Sequence, residues 1–191
     1  MVCGYAEILK HSIIKDKRFF DWLKKKSNLV LSKRPKELIY AIKKSCQIKI
    51  HFVNRDTNEK GLRMVLNFGH TFAHAIEVKN SFSKNITHGE AVLAGMILAI
   101  KLSILKRNCK KEVLNKITEL YNHNNLNYAL KNISNSNWIR SLIPYLKNDK
   151  KNTDEKINFL LLKKIGQADK PNKFKISLSD LRKYCKTISQ Y

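Results

Sequence analysis

Apolar residues recur along most of the chain at steps of three and four, the period that places them on one face of an α-helix. This pattern predicts a mainly α-helical chain that forms one domain over residues 1–191. Residues 156–165 differ, because they are rich in Ile, Phe and Leu and end at a glycine, which predicts one short β-strand near the C-terminus. Helices are expected at residues 18–26, 35–52, 88–106, 112–121, 138–146 with a break at Pro144, and 178–188 behind a Ser177 cap.

One stretch carries polar side chains in a column. A helix predicted over residues 63–77 places four of them on one face, at steps of four, three and four: Arg63, Asn67, His70 and His74. The apolar residues between them form a stripe on another face, so the helix can be buried while its polar face lines a cavity. Each histidine taken alone is equally explained as a core or capping residue. The His-x-x-x-His spacing favours a metal site, and spacing alone would pair His70 with His74.

The next predicted helix begins with a third histidine. Thr87 and Glu90 form a Thr-x-x-Glu capping box before an apolar run, which places His88 in the first turn. The positive end of the helix dipole disfavours an imidazolium there. His88 is therefore expected to be neutral, which is the form that binds a metal.

Two shorter features have both a plain and a functional interpretation. Glu7 and Lys10 lie one helical turn apart in an apolar setting, so they form either a surface ion pair or a metal ligand beside a substrate-binding cation. Lys49, on the helix predicted over residues 35–52, is either a solvated lysine or part of the same site.

Composition limits the class of protein. With 191 residues and 43% hydrophobic content, the chain can bury a core. The longest apolar run, residues 91–100, has about half the length that a bilayer requires, so no membrane span is expected. The N-terminus is not expected to be a signal peptide, because Glu7 stands where a signal peptide has an apolar region. The four cysteines lie far apart, which predicts reduced thiols and a cytoplasmic protein: Cys3, Cys46, Cys109 and Cys185.

The net charge of +23 raises the question of nucleic-acid binding. The lysines are scattered through every segment, with no arginine-rich run and no RNA-binding aromatic motif. We therefore expect no specific nucleic-acid partner, only incidental affinity for polyanions at low salt. The sequence also has no glycine-rich phosphate loop, so no nucleotide site is predicted within it.

Several blocks of the sequence resemble 3-dehydroquinate synthase, in that family's order and spacing. They are GYAEILK at 4–10, ExGxRxxLNxGHTFxHAIE at 59–77, HGEAVxxGM at 88–96, Asp149-Lys150-Lys151 and the segment ending at Gly166. Ala73 departs from the pattern, because the family usually has glycine there. The resemblance runs from Gly4 to the C-terminus and implies the family's helical, metal-binding C-terminal domain.

This resemblance implies an NAD- and metal-dependent carbon–oxygen lyase, a phosphate-eliminating cyclase of the shikimate pathway to the aromatic amino acids. The family converts a seven-carbon keto-acid phosphate (DAHP) into 3-dehydroquinate, using Zn²⁺ or Co²⁺. NAD is implied to bind mainly to an N-terminal half outside this chain, in cis or as a separate chain, and the intact enzyme to be a homodimer. We expect activity only with that half.

Other functions are also compatible with the residues. One is a related sugar-phosphate cyclase or polyol dehydrogenase that uses the same helical domain. The other is a protein without activity, either an inactive remnant or a basic binding module. Retention of all the charged and metal-ligating positions argues against an inactive remnant, because random mutation would not preserve them together.

The resemblance also implies roles for single residues. By match of motif, Glu7, His70 and His88 are the metal ligands, which replaces the His70–His74 pair that spacing suggested. Three nitrogen and oxygen ligands with an open position suit Lewis-acid catalysis. His74 is then a polar or proton-transfer residue beside the reacting carbons.

The same match implies a set of substrate-binding side chains: Lys10, Lys49, Arg63, Asn67, His74 and Lys150. Lys49 and Arg63 match the positions that grip the substrate carboxylate, a task that suits a planar guanidinium. Asn67 and Lys150 match groups near the phosphate. The catalytic residues implied are four of this group: His74, Lys10, Arg63 and Lys49.

Three details complete this set. Lys10 matches a contact to the substrate hydroxyls. Lys151 is an alternative to Lys150, because both lie in the same charged turn. Glu59 is implied to orient the cations or the metal ligands without contacting the substrate.

Overall fold

The computed structural model describes residues 1–82, 86–126, 130–146 and 156–191. This part of the chain is mainly α-helical, as predicted. Its helices are α1 (Val2–Lys15), α2 (Lys17–Leu31), α3 (Pro35–Val53), a 3₁₀ helix (Leu62–Asn67), α4 (His70–Lys79), α5 (His88–Leu105), α6 (Lys111–His123), α7 (Ser136–Ser141), α8 (Ile143–Leu146) and α9 (Leu178–Gln190). Its strands are β1 (Lys156–Phe159), β2 (Leu162–Lys164), β3 (Gln167–Ala168) and β4 (Phe174–Ser177).

Helix α5 is the centre of the fold. It packs against α1, α4, α6 and α9, and it is apolar on all sides. Its length and composition would be sufficient to cross a bilayer, but 78% of it is buried inside the protein. A helix that is hydrophobic all round and covered by its neighbours is a core helix.

The predicted strand near the C-terminus is two strands. The chain changes partner within the predicted segment: β1 pairs antiparallel with β4, and β2 pairs antiparallel with β3, in two separate sheets. The sequence does not show such a change, because the apolar residues of the segment continue across the boundary between the two strands. The predicted cap of the last helix is confirmed, since the Ser177 side chain accepts a hydrogen bond from the backbone N–H of Asp180.

The prediction of one helix over residues 63–77 is wrong. The 3₁₀ helix ends at Asn67, and α4 begins only at His70. Between them Gly69 has φ 82°, a left-handed conformation that glycine adopts without steric cost. A Cβ atom at Gly69 would lie 2.8 Å from the backbone nitrogen of Met96, so α5 passes directly against this break. The polar column is therefore divided between two elements, with Arg63 and Asn67 on the 3₁₀ helix and His70 and His74 on α4.

Gly95 makes the same close approach from the side of α5. A Cβ atom there would lie 2.3 Å from the carbonyl oxygen of Gly69 and 2.9 Å from the backbone nitrogen of Ala73. Because both neighbours are backbone atoms, the Gly95→Ala change should lower the free energy of unfolding by about 2–3 kcal/mol. Urea unfolding of the purified chain measures this.

Gly4 provides the matched control, because it also lies in a helix and a Cβ atom there meets nothing within 4 Å. Gly4→Ala should leave stability unchanged or raise it by up to about 1 kcal/mol. A Gly95→Ala chain that unfolds at the parent's urea midpoint would show that α4 and α5 do not approach this closely.

Candidate metal and substrate site

Three helices bring one potential metal ligand each to a common point. Glu7 lies on α1, His70 is the first residue of α4, and His88 is the first residue of α5. One ligand atom from each lies within 4.8 Å of the others. The rings of the two histidines are 5.7 Å apart, measured between centroids. The structure thus brings together the three residues that the family resemblance implied.

Local sequence explains why the histidines stand at helix starts. His88 lies within the predicted capping box, which is present: the Thr87 side chain accepts from the backbone N–H of Glu90, and the Glu90 carboxylate accepts from the backbone N–H of Thr87. His70 follows the left-handed Gly69 that ends the preceding turn. Each histidine therefore stands in the first turn of its helix, and the two rings lie 5.7 Å apart.

Each histidine has an acceptor beside its Nδ1 atom. The Nδ1 of His70 lies 3.3 Å from the carbonyl oxygen of Phe68, and the Nδ1 of His88 lies 2.9 Å from Oε1 of Glu77. These acceptors favour the tautomer with the proton on Nδ1, which leaves Nε2 with its lone pair. Histidines that bind metals are held in this way.

The carboxylate of Glu7 has one satisfied oxygen and one unsatisfied oxygen. Oε2 accepts a hydrogen bond of 2.7 Å from the Lys10 ammonium. Oε1 is buried and finds no hydrogen-bond partner among the described residues, although it lies only 3.7 Å from Nε2 of His70. Two atoms with lone pairs thus face each other, and a divalent cation bound between them would satisfy both. The two nitrogens and one oxygen fit Zn²⁺ or a similar ion.

Burial and charge set the protonation states that a metal needs. Burial lowers the pKa of His70 to about 4, helped by the Lys10 charge, so the ring is neutral at pH 7. Burial acts to raise the pKa of Glu7, but the charge and hydrogen bond of Lys10 outweigh it and the net shift is downward. Burial also lowers the pKa of Lys10, which is 3% exposed, and the Glu7 carboxylate opposes this.

His74 lies one turn further along α4 and is exposed. Its ring centroid is 5.7 Å from that of His70, but it is not one of the three convergent ligands. The histidine that converges with His70 and Glu7 is His88, not His74 as spacing alone suggested. Periodicity within one helix cannot show which side chain of another helix arrives at the same point.

Arg63 and Asn67 are held by the loop before the 3₁₀ helix. The Arg63 guanidinium donates to the carbonyl oxygen of Thr57 at 2.8 Å, and its Nε lies 3.9 Å from the Glu59 carboxylate. Asn67 donates from Nδ2 to the other oxygen of Glu59 at 2.7 Å. Glu59 therefore contacts both side chains, as expected of a residue that orients them.

The remaining predicted residues are lysines. Lys49 is exposed on α3; burial lowers the pKa values of Lys10 and His11, and the charge of Lys49 adds to this effect. Lys150 and its alternative Lys151 lie outside the described residues.

Some residues near the site were not found from the sequence. His11 is buried, and its Nδ1 shares a 2.7 Å hydrogen bond with Oγ of Ser45, which links α1 to the helix that carries Lys49. Burial lowers the pKa of His11 to about 4. Its position directly after Lys10 was the only available signal, because the sequence does not show that α1 and α3 are neighbours.

Comparison with known proteins identifies the family. A protein-family model described as 3-dehydroquinate synthase C-terminal matches residues 4–152. The 3-dehydroquinate synthase of Pelagibacter ubique (strain HTCC1062) is 39% identical over 166 residues, which cover 87% of this chain and 45% of that protein. The chain thus spans less than half the length of this relative.

Two solved structures share this fold. A 2-deoxy-scyllo-inosose synthase complexed with carbaglucose-6-phosphate, NAD⁺ and Co²⁺ matches 97% of this chain and 50% of its own, with a TM-score of 0.79 and 22% identity. The 2-epi-5-epi-valiolone synthase of Streptomyces hygroscopicus subsp. jinggangensis 5008, with NAD⁺ and Zn²⁺ bound, matches 99% and 51%, with a TM-score of 0.72 and 21% identity. On the family match and the fold together, the chain belongs to the 3-dehydroquinate synthase C-terminal domain family.

Proposed function

We propose that this chain is the metal- and substrate-binding part of a 3-dehydroquinate synthase, which converts DAHP into 3-dehydroquinate with loss of phosphate. The observation that carries the proposal is the convergence of Glu7, His70 and His88, with an acceptor beside the Nδ1 atom of each ring and a buried carboxylate oxygen that has no hydrogen-bond partner among the described residues. The identity of 39% to a 3-dehydroquinate synthase supports this activity over other cyclases.

The metal site gives the proposed chemistry its electrophile. Substrate hydroxyls bound there would be polarised by the divalent cation, which is Lewis-acid catalysis. Glu7 is held as a carboxylate by Lys10, and His70 is kept neutral by burial, so the protein supplies ligands that need no deprotonation at pH 7. Lys10 is buried beside the ligands and would contact the same hydroxyls.

The other side chains divide the substrate between them. Arg63 and Lys49 would bind its carboxylate, since a guanidinium can donate two parallel hydrogen bonds to it. Asn67 and Lys150 would lie near the phosphate. His74, exposed next to His70, is placed to accept or return a proton at the substrate.

NAD is assigned to a domain outside these 191 residues. The sequence has only six glycines and no glycine-rich turn at a helix start that could receive a pyrophosphate. The related cyclase structures contain NAD⁺, and this chain covers about half of each of them. The partner in catalysis is therefore proposed to be an NAD-binding domain, in the same polypeptide or a separate one.

A related sugar-phosphate cyclase is the second candidate, because the fold matches those enzymes closely, with TM-scores of 0.79 and 0.72. Sequence identities of 22% and 21% to these enzymes support a shared fold but not a shared substrate. An assay of turnover with DAHP distinguishes the two candidates.

Zinc binding tests the observation on which the proposal rests. The purified, metal-free chain should bind one Zn²⁺, measured by calorimetric titration and by metal analysis after dialysis, and excess chelator should remove it. The binding should involve no cysteine, so it should persist in a Cys3→Ser, Cys46→Ser chain, which lacks the two exposed thiols but keeps side chains of similar size. A parent chain that retains no zinc, or a folded double variant that loses it, would contradict the proposed site.

A further inference from the structure

The carboxylate of Asp56 is bound by three backbone N–H groups. Oδ1 accepts from Lys60 at 3.0 Å, and Oδ2 accepts from Gly61 at 2.8 Å and from Arg63 at 2.9 Å. The N–H groups of Arg63 and Lys60 hold the pKa of Asp56 below its usual range, so the group is charged. Nothing in the sequence pattern singled out this residue.

Asp56 is also fixed to the end of α3. Its own N–H donates to the carbonyl oxygen of Phe52 at 3.1 Å, and its carbonyl oxygen accepts from Glu59 N–H at 3.3 Å. Its side chain then reaches forward to the start of the 3₁₀ helix. Asp56 therefore closes the loop of residues 57–63 at both ends and ties it to a helix of the core.

This loop holds the two polar side chains proposed to bind substrate. Glu59 has φ 53°, an uncommon conformation for a residue with a side chain, and from there it contacts both Arg63 and Asn67. The carbonyl of Thr57, in the same loop, accepts from the Arg63 guanidinium. A strained backbone persists only where its surroundings determine it.

We propose that Asp56 is a positioning residue for the substrate site: its carboxylate fixes the loop of residues 57–63, so that Glu59 and Thr57 aim Arg63 and Asn67. Asp56 does not contact substrate. That Arg63 and Asn67 do so rests on the proposed function. Asp56 thus acts through hydrogen bonds to the backbone, as the outer partners of a preorganised site do.

The alternative is that Asp56 only caps the 3₁₀ helix and contributes stability. Asp16 is the matched control, because its carboxylate accepts a backbone N–H from Phe19 and caps α2. A purely structural role predicts that both substitutions lower stability and that neither changes the Arg63 or Asn67 side chain.

Nuclear magnetic resonance of the ¹⁵N-labelled chain separates these roles without turnover. In Asp56→Ala, the amides of Lys60, Gly61 and Arg63 should exchange with solvent about 10-fold faster or more, the factor for a lost hydrogen bond to a charged group. The Arg63 Nε–H and Asn67 Nδ2 signals should shift, whereas Asp16→Ala should leave them in place. Asp56→Asn, which keeps one carbonyl oxygen, serves if the alanine variant does not fold.

Unchanged Arg63 and Asn67 signals in a folded Asp56 variant would overturn the proposal. The kinetic test uses a chimera, in which this chain replaces the stretch it matches in the Pelagibacter ubique enzyme. Asp56→Asn should raise KM for DAHP by about 10-fold and leave kcat within about 3-fold of the parent chimera's value. The reason is that Arg63 and Asn67 would bind substrate and transition state equally well. Equal KM values would also overturn it, whereas an inactive parent chimera would count against the proposed function and leave the resonance result standing.

Discussion

A chain with the His70→Ala substitution is expected to bind Zn²⁺ at least about 100-fold more weakly than the parent, a larger loss than removal of an outer partner such as Glu77 produces. His70 is one of the three ligands that converge within the described part of the chain, its ring is neutral, and its Nε2 faces the unsatisfied oxygen of Glu7. Calorimetric titration of the metal-free variant measures the change.

His74→Ala is the matched control, because His74 lies on the same helix one turn away and its ring is 5.7 Å from that of His70. Its zinc affinity should stay within about 3-fold of the parent, as it removes no ligand. If His74→Ala loses zinc and His88→Ala keeps it, the spacing-based pair of His70 and His74 is the true site and the convergence with Glu7 is not.

The Arg63→Lys substitution should raise KM for DAHP by about 10- to 100-fold in the chimera, with a much smaller change in kcat. Lysine keeps the charge but replaces the planar fork with a point donor, so one of two parallel hydrogen bonds to a carboxylate is lost. It also loses the contacts that hold Arg63 to Thr57 and Glu59.

Arg18→Lys, at an exposed position of α2, serves as the control and should leave KM unchanged. Zinc affinity should be equal in both variants and in the parent. An Arg63→Lys chimera with the parent's KM would remove Arg63 from the carboxylate site.

The helices and their caps could be predicted because they are encoded by neighbours in the sequence. The period of apolar residues located α3 and α5 to within a residue or two. The Thr87–Glu90 box and the Ser177 cap are local hydrogen-bond patterns, and both are present.

The break at Gly69 could not be predicted in the same way, because its cause is distant. The left-handed turn is required by the passage of α5, where Met96 and Gly95 touch the backbone of the turn. The strands could not be predicted for the same reason, because β1 pairs with β4 and β2 pairs with β3, and neither pairing is visible in the segment that contains β1 and β2.

The metal ligands could be predicted in part from local spacing. Spacing alone paired His70 with His74, both on α4. The histidines that converge are His70 on α4 and His88 on α5, and the third ligand, Glu7, lies on α1. The family resemblance supplied that set from motifs. Asp56 was missed by both approaches, because its carboxylate binds backbone N–H groups, which carry no side-chain signal in a sequence.

Turnover by the chimera shows whether this chain supplies the metal and substrate site of a 3-dehydroquinate synthase. Supplied with NAD⁺, Zn²⁺ and DAHP, it should release phosphate and 3-dehydroquinate, which are followed by phosphate analysis and chromatography. The isolated 191-residue chain under the same conditions should release neither, because hydride transfer requires NAD⁺ held against the substrate. A folded chimera that binds zinc and NAD⁺ but leaves DAHP unchanged would contradict the account, and so would turnover by the isolated chain.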